Sequence, residues 1–372
     1  MQNLFCFLCL SCVLCPSIAV TLTPAPAHAQ AVSTDLTAII ADAREMIQTK
    51  MRDQGIPGYA AGIYANGRVQ WVDGFGYADL ESRSPVWPST RFRIGSVSKS
   101  FTAAALGRLL GERRLDLDAP VQRYVPGFPE KRAPVSTRQL AGHLAGVRHY
   151  RGEEFLSARA YASVTEALEI FDDDTLLFAP GERYSYSSYG WNLISAVIEG
   201  ATGEPFVDYM VRTIFQPLDM HHTGPDRVDS IVAQRTAFYD LGPDDRLRNA
   251  PHVDNSVKWA GGGFLSSVED LLKFGVAHLE PGFLDQETLE TLFTSQRTND
   301  GEATDYGIGW GTERDADTGR WRVWHTGGSV GGTTALVLYP EEGVVAAVIA
   351  NMSSVDGQMA TALALAEMFA GW

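Results

Sequence analysis

Three short segments of the chain carry residues whose types and spacing fit nucleophilic chemistry. The sharpest is Phe92-Arg93-Ile94-Gly95-Ser96-Val97-Ser98-Lys99-Ser100-Phe101-Thr102. Gly95 offers a turn, and the residues from Ser98 to Leu106 continue as a good helix. A helix starting near Ser96 would set Ser96 and Lys99 one turn apart on the same face. A serine hydroxyl is a weak nucleophile until a base removes its proton, and a desolvated lysine amine can do that. At a helix N-terminus the serine also gains backbone N–H groups aimed at a developing oxyanion. Of the 30 Lys and Arg residues only five are Lys, and Lys99 alone follows a serine by three positions. A lone Ser-x-x-Lys is a weak signal, since a capping serine beside a surface lysine looks the same.

The second segment is Pro180-Gly181-Glu182-Arg183-Tyr184-Ser185-Tyr186-Ser187-Ser188-Tyr189-Gly190. Tyrosines and serines between a Pro-Gly turn and the apolar run LISAVIEG fit a polar loop entering a cleft. A phenol bonded to an amine can shuttle a proton to a leaving group; a hydrogen-bonded core tyrosine is the plainer alternative. The third is His325-Thr326-Gly327-Gly328 at the end of an expected strand. Its glycines let a substrate approach the backbone, and a strand-edge N–H there is a candidate second oxyanion donor.

The elements that must position these residues are legible in outline. Leu36, Ile39, Ile40, Ala43, Met46, Ile47 and Met51 recur at helical spacing, and Gly55-Ile56-Pro57-Gly58 stops that helix. YAAGIYA and RVQWVDGFGYA flank Asn66-Gly67, a strong hairpin signal. At the carboxyl end RWRVWHTGG, TTALVLYP and GVVAAVIANM read as three strands, followed by a helix over about 357–369. The middle, about 86–300, is mostly helical patterns with Pro and Gly breaks. The expectation is an α+β fold: one antiparallel sheet built from both termini (about 35–85 and 301–372), terminal helices packed on it, and an inserted helical lobe. A site in such a fold falls between sheet and lobe.

Composition narrows the function classes. The chain has 372 residues, 45% hydrophobic and 20% charged, with a net charge of −15. Those are globular proportions with room for a large core, and so acidic a chain repels phosphate backbones, so no nucleic-acid partner is expected. Residues 1–29 hold no Asp, Glu, Lys or Arg, and an apolar run leads to Ala27-His28-Ala29. This reads as a secretory signal, cut after Ala29 or Ala31, that sends residues 30–372 to the periplasm or outside the cell. Cys6, Cys9, Cys12 and Cys15 all lie in it; they nearly spell an iron–sulfur spacing, but the last interval is one residue short. No cofactor and no metal are implied.

Other motifs are set aside. Gly327-Gly328-Ser329-Val330-Gly331 is a literal G-x-S-x-G, but that fold needs a histidine after the serine and none follows His325. His221-His222 is the only close histidine pair, with no further ligand at helical spacing. Gly261-Gly262-Gly263 lacks the Gly-Lys-Ser/Thr of a phosphate loop. Ser267-x-x-Asp270 reads as a helix cap. In GHLAGVRHY, His143 either orders the region near the nucleophile or packs in the core.

Ser96-x-x-Lys99, Tyr186-Ser187-Ser188 and His325-Thr326-Gly327, in that order, resemble the three signatures of the penicillin-recognising serine hydrolases: class C-type β-lactamases, DD-peptidases and related esterases. Within them the chain is similar to the mitochondrial serine β-lactamase-like group and its bacterial relatives, through LDLDAPVQRYVPGFPEK, GHLAGVRHY, PHVDNSVKWAGGGFLSSVEDLLKFG and HTGGSVGG. The resemblance spans about 35–370 and implies a β-lactamase/DD-peptidase-like fold. It implies Ser96 as the acylated nucleophile, Lys99 as its base, and Tyr186 assisting proton transfer to the leaving group. The N–H groups of Ser96 and Gly328 would form the oxyanion hole, with His325, Thr326, Gly327 and Ser188 lining the substrate's path. Two positions depart from the pattern: Ser188 stands where many members have Asn, and His325 where β-lactamases have Lys. Loss of that cation weakens recognition of a drug carboxylate. The expected activity is therefore cleavage of a small-molecule or peptide substrate at an amide or ester bond, ahead of efficient β-lactam hydrolysis. The alternative is a catalytically weak protein of this fold acting in binding or filament-like homo-oligomeric assembly.

Overall fold

The computed structural model describes residues 27–371, with side chains from Leu36 onward. The expected leader with its four cysteines lies outside the described residues except for the backbone of 27–29, which opens the first helix. That helix, α1 (Ala27–Gln54), starts before the apolar stripe read from the sequence, and Ala43 and Ile47 are its fully buried residues. All the residues of the site belong to the unit from Ile39 onward.

A seven-stranded antiparallel sheet forms the spine. Its strands are β1 (Gly58–Ala65), β2 (Arg68–Asp79), β3 (Ser84–Pro85), β4 (Gly311–Arg314), β5 (Trp321–Ser329), β6 (Gly332–Tyr339) and β7 (Val344–Ala350). Their spatial order is β3-β2-β1-β7-β6-β5-β4, so the two ends of the chain meet where β1 pairs with β7. Every residue of β1 and β7 is buried. β1 is rich in Ala and Gly and β7 in Val and Ala, and neither alternates with polar residues, as strands covered on both faces do not. Tyr59 sends its hydroxyl to Gln358 of the C-terminal helix, while Tyr64 reaches Glu280 beside the helix Val268–Ala277. The fold is thus the expected α+β arrangement.

Between the sheet's two contributions lie the helices α2 (Ser98–Gly111), α3 (Ser188–Thr202) and α4 (Val268–Ala277); α5 (Gln358–Ala370) closes the chain. The buried faces of α2, α3 and α4 share one core with the sheet through Phe101, Trp191, Phe264 and Phe274. Two details differ from the sequence reading. The sheet gains a fourth carboxyl-terminal strand, β4. The middle also holds short strands, Phe92–Arg93, Gly224–Pro225 and Phe264–Ser266, joined in a small sheet, and a hairpin of Tyr239–Leu241 with Leu247–Asn249. Segments of two to four residues are too short for alternation to register. The Ser267 cap is present, its side chain accepting from Asp270 N.

Candidate active site

Ser96 lies in a 3-10 turn, Gly95–Val97, and α2 proper begins at Ser98. The expected α-helical start near Ser96 is therefore tightened. Val97 N donates to Ile94 O, and Gly95 takes φ +52°, which an α-helix does not accept. The turn still leaves Lys99 one step below Ser96, with Nζ 3.1 Å from Ser96 Oγ. Strand β5 presses against this turn. A Cβ on Gly327 would stand 1.9 Å from Ile94 O, and one on Gly95 would stand 2.5 Å from Gly328 O. Only glycine admits that seam. It buries Gly327 and leaves Gly328 exposed beside the half-buried Ser96 and Thr326.

Lys99 is fully buried. Its amine donates to Gly261 O at 2.6 Å and lies 3.2 Å from Ser188 Oγ. Burial drives its pKa well below the usual lysine value, and no carboxylate opposes the shift. In its neutral form, with its N–H groups engaged by Gly261 and Ser188, the amine would have its lone pair left for Ser96 O–H. The Gly261-Gly262-Gly263 run, set aside as a phosphate loop, has this role in the site: it supplies the carbonyl that holds the amine.

Tyr186 covers the amine, with Lys99 Nζ 4.9 Å from its ring centroid. Burial raises the phenol's pKa, an effect eased by its contacts with the Ser96 and Ser188 hydroxyls, so the phenol keeps its proton. The loop carrying it is gripped by segment 143–149. Ser185 N donates to His143 O, Ser187 N to His143 Nδ1 at 3.1 Å, and Ser188 N to His149 Nδ1 at 3.1 Å. Ser187 Oγ donates to Arg148 O at 2.7 Å. His143 adopts φ +60° and lays its ring 4.2 Å from that of Tyr186. Of the two roles left open for His143, ordering the region near the nucleophile is the one the contacts bear out, and its burial adds packing.

His325 lies lower than a lining residue would. It is 4% exposed, its Nδ1 is 2.6 Å from Thr326 O and its Nε2 is 2.8 Å from Tyr306 Oη. With Nδ1–H donating to the carbonyl and Nε2 accepting from the phenol, neither nitrogen is free for substrate. Burial pushes the His325 pKa down to about 3, so the ring is neutral. Tyr306 and Tyr150, whose phenol contacts Ser188, were not singled out by the sequence. Nothing local distinguishes them from core tyrosines.

A second buried basic side chain lies six residues before Lys99. Arg93 Nε donates to Asp226 at 2.7 Å, and its Nη1 donates to Val330 O at 2.8 Å, just past β5. Asn255 Nδ2 also donates to Asp226, at 2.8 Å. A cavity of about 910 Å³ opens elsewhere, among Tyr161, Glu199, Asp254 and Trp259, and its lining includes none of Ser96, Lys99 or Tyr186. Chemistry rather than volume picks out the site.

Residues 43–367 match the family model described as Beta-lactamase. The chain is 34% identical to the serine beta-lactamase-like protein LACTB, mitochondrial, of Homo sapiens, over 89% of this chain and 79% of that one. It is 30% identical to penicillin-binding protein 4* of Bacillus subtilis over 73% of this chain and 63% of that one. Among solved structures, the octameric penicillin-binding protein homologue from Pyrococcus abyssi superposes with a TM-score of 0.77 at 27% identity, covering 89% of this chain and 77% of its own. A match over most of the chain, together with a contacting Ser-x-x-Lys pair set against the sheet edge, makes this chain a member of the β-lactamase family of serine hydrolases.

Proposed function

We propose that the protein is a serine hydrolase that cleaves an ester or amide through an acyl-enzyme on Ser96. The observation that carries this reading is a buried lysine amine, opposed by no carboxylate, 3.1 Å from a half-buried serine hydroxyl. Ser96 Oγ attacks the substrate carbonyl carbon while its proton passes to Lys99 Nζ. The Ser96 and Gly328 N–H groups, brought together by the glycine seam, receive the oxyanion. The protonated Tyr186 phenol, beside Ser96, delivers a proton to the leaving group as the carbonyl re-forms and is re-protonated by the Lys99 ammonium, which returns the amine to its neutral form. Water then hydrolyses the ester by the reverse path.

The third signature presents an engaged, neutral imidazole, so recognition there does not depend on a substrate carboxylate. That favours uncharged esters and amides over β-lactams. The uncharged apolar leader at residues 1–29 supports export to the periplasm or beyond. The competing reading, binding or self-assembly with little catalysis, draws support from the octameric archaeal homologue but none from this site, where nucleophile, base and phenol are in contact.

The deciding experiment is intact mass after incubation with a fluorophosphonate. The wild type is expected to gain a single adduct that Ser96→Ala does not form. A well-folded wild type that stays unlabelled would sink the proposal.

A further inference from the structure

We infer that His149 is a positioning residue of this site: its Nδ1 lone pair fixes the first turn of α3 where Ser188 meets Lys99. The kinetic side of this inference rests on the acyl-enzyme reading; the structural side does not.

The start of a helix leaves its first N–H groups without intrahelical acceptors. In α3 the N-cap Ser187 accepts only from Gly190 N, at 3.1 Å. The N–H of Ser187 itself goes to His143 Nδ1, and that of Ser188 to His149 Nδ1. Two imidazoles from a distant segment thus complete the cap. An acceptor nitrogen carries no proton, which places the hydrogen of each ring on Nε2. Protonating His149 would set N–H against N–H and bring a cation to the positive end of the helix dipole.

The connection to the chemistry is short. His149 Nδ1 holds Ser188 N at 3.1 Å, Ser188 Oγ lies 3.2 Å from Lys99 Nζ, and Lys99 Nζ lies 3.1 Å from Ser96 Oγ. Tyr186 is two residues upstream of Ser188, and its ring meets that of His149 edge to face at 5.7 Å. Releasing Ser188 N frees both the amine's partner and the phenol above it. The charged and titratable groups facing His149 are Lys99, Glu154 and His143, with the Tyr150 ring tilted against it at 4.5 Å. Arg148, its chain neighbour, is bound to Glu154 and Asp174. The two histidines differ in one useful respect. His143 is packed in the core, whereas His149 is exposed, so it can be replaced without opening a cavity.

The test compares His149→Leu, which keeps bulk without an acceptor, with His149→Asn, whose amide oxygen stands near the place of Nδ1. For a p-nitrophenyl ester, H149L should lose about a hundredfold in kcat with KM within a few-fold, the scale of an ångström misplacement. H149N should recover most of that loss, and fluorophosphonate labelling of Ser96 should follow the same order. Long-range ¹⁵N spectra of the wild-type full chain should show His149 as the Nε2–H tautomer, neutral until about pH 4. Wild-type rates in H149L, an H149N as slow as H149L, or an Nδ1–H tautomer would each overturn the inference. If the wild type forms no adduct, the acyl-enzyme reading falls by itself, and the tautomer alone decides whether the clamp exists.

Discussion

Two buried basic side chains six residues apart are treated in opposite ways. Arg93 is met by Asp226 at 2.7 Å, with Arg235 and Asn255 completing the shell around that carboxylate. Burial alone would lower its pKa, but Asp226 works against the shift, and a guanidinium keeps its proton regardless. Lys99 is buried as deeply and is met only by neutral oxygens. The same strand-to-helix passage therefore holds a permanent charge that ties the short strand Phe92–Arg93 to the end of β5, and an amine whose pKa burial drives down, the property the proposed base requires. The difference lies in the partners, since desolvation is common to both.

Substituting each by a neutral side chain of similar length separates the two roles. Lys99→Met should slow Ser96 labelling by about a thousandfold. Its stability should not fall, because removal of a desolvated amine outweighs the loss of the Gly261 bond. Arg93→Met should instead cost about 3–5 kcal/mol in denaturant unfolding by stranding the Asp226 charge, and adding Asp226→Leu should restore much of it. A mild Arg93→Met, or a Lys99→Met that unfolds, would break the contrast. The finest distinction is in pH. The folded pKa of Lys99 lies below its unfolded value of 10.5, so between the two the unfolded chain holds the extra proton and stability rises with pH. The slope is at most about 1.4 kcal/mol per unit. Labelling should rise at the foot of that limb, through the folded pKa, as the native amine loses its proton, and Lys99→Met should flatten the stability slope. Arg93 contributes none.

How much of this was legible depends on how far apart the interacting residues stand. Ser96 and Lys99 are three positions apart, and local turn geometry carries the pairing even though the turn is 3-10 rather than α. The five long strands of the sheet, β1, β2, β5, β6 and β7, were readable because each is long enough to show an apolar run, whereas β3 and β4 are too short for one. Tyr186 gained a role only from the ordered set of signatures, because one tyrosine in a polar loop resembles another. His149 and Ser188, Arg93 and Asp226, and Tyr306 and His325 meet through contacts that no periodicity encodes. The positive φ of His143 that turns its segment toward the loop has no glycine to announce it. Gly95 and Gly327 were visible as glycines, but their seam was not, since a missing side chain does not name what fills its place.

That seam has a consequence for how the protein comes into being. The turn holding Ser96 finds its opposing wall in residues 327–328, on a strand from the last quarter of the chain. A nascent or carboxyl-terminally truncated chain that already contained Ser96, Lys99 and Tyr186 would have no β5 to close on, and contacts of such long sequence separation form late in folding. Reactivity of the proposed nucleophile would thereby wait for β5: Ser96 is synthesised first, and the surface against which it would work follows long after it.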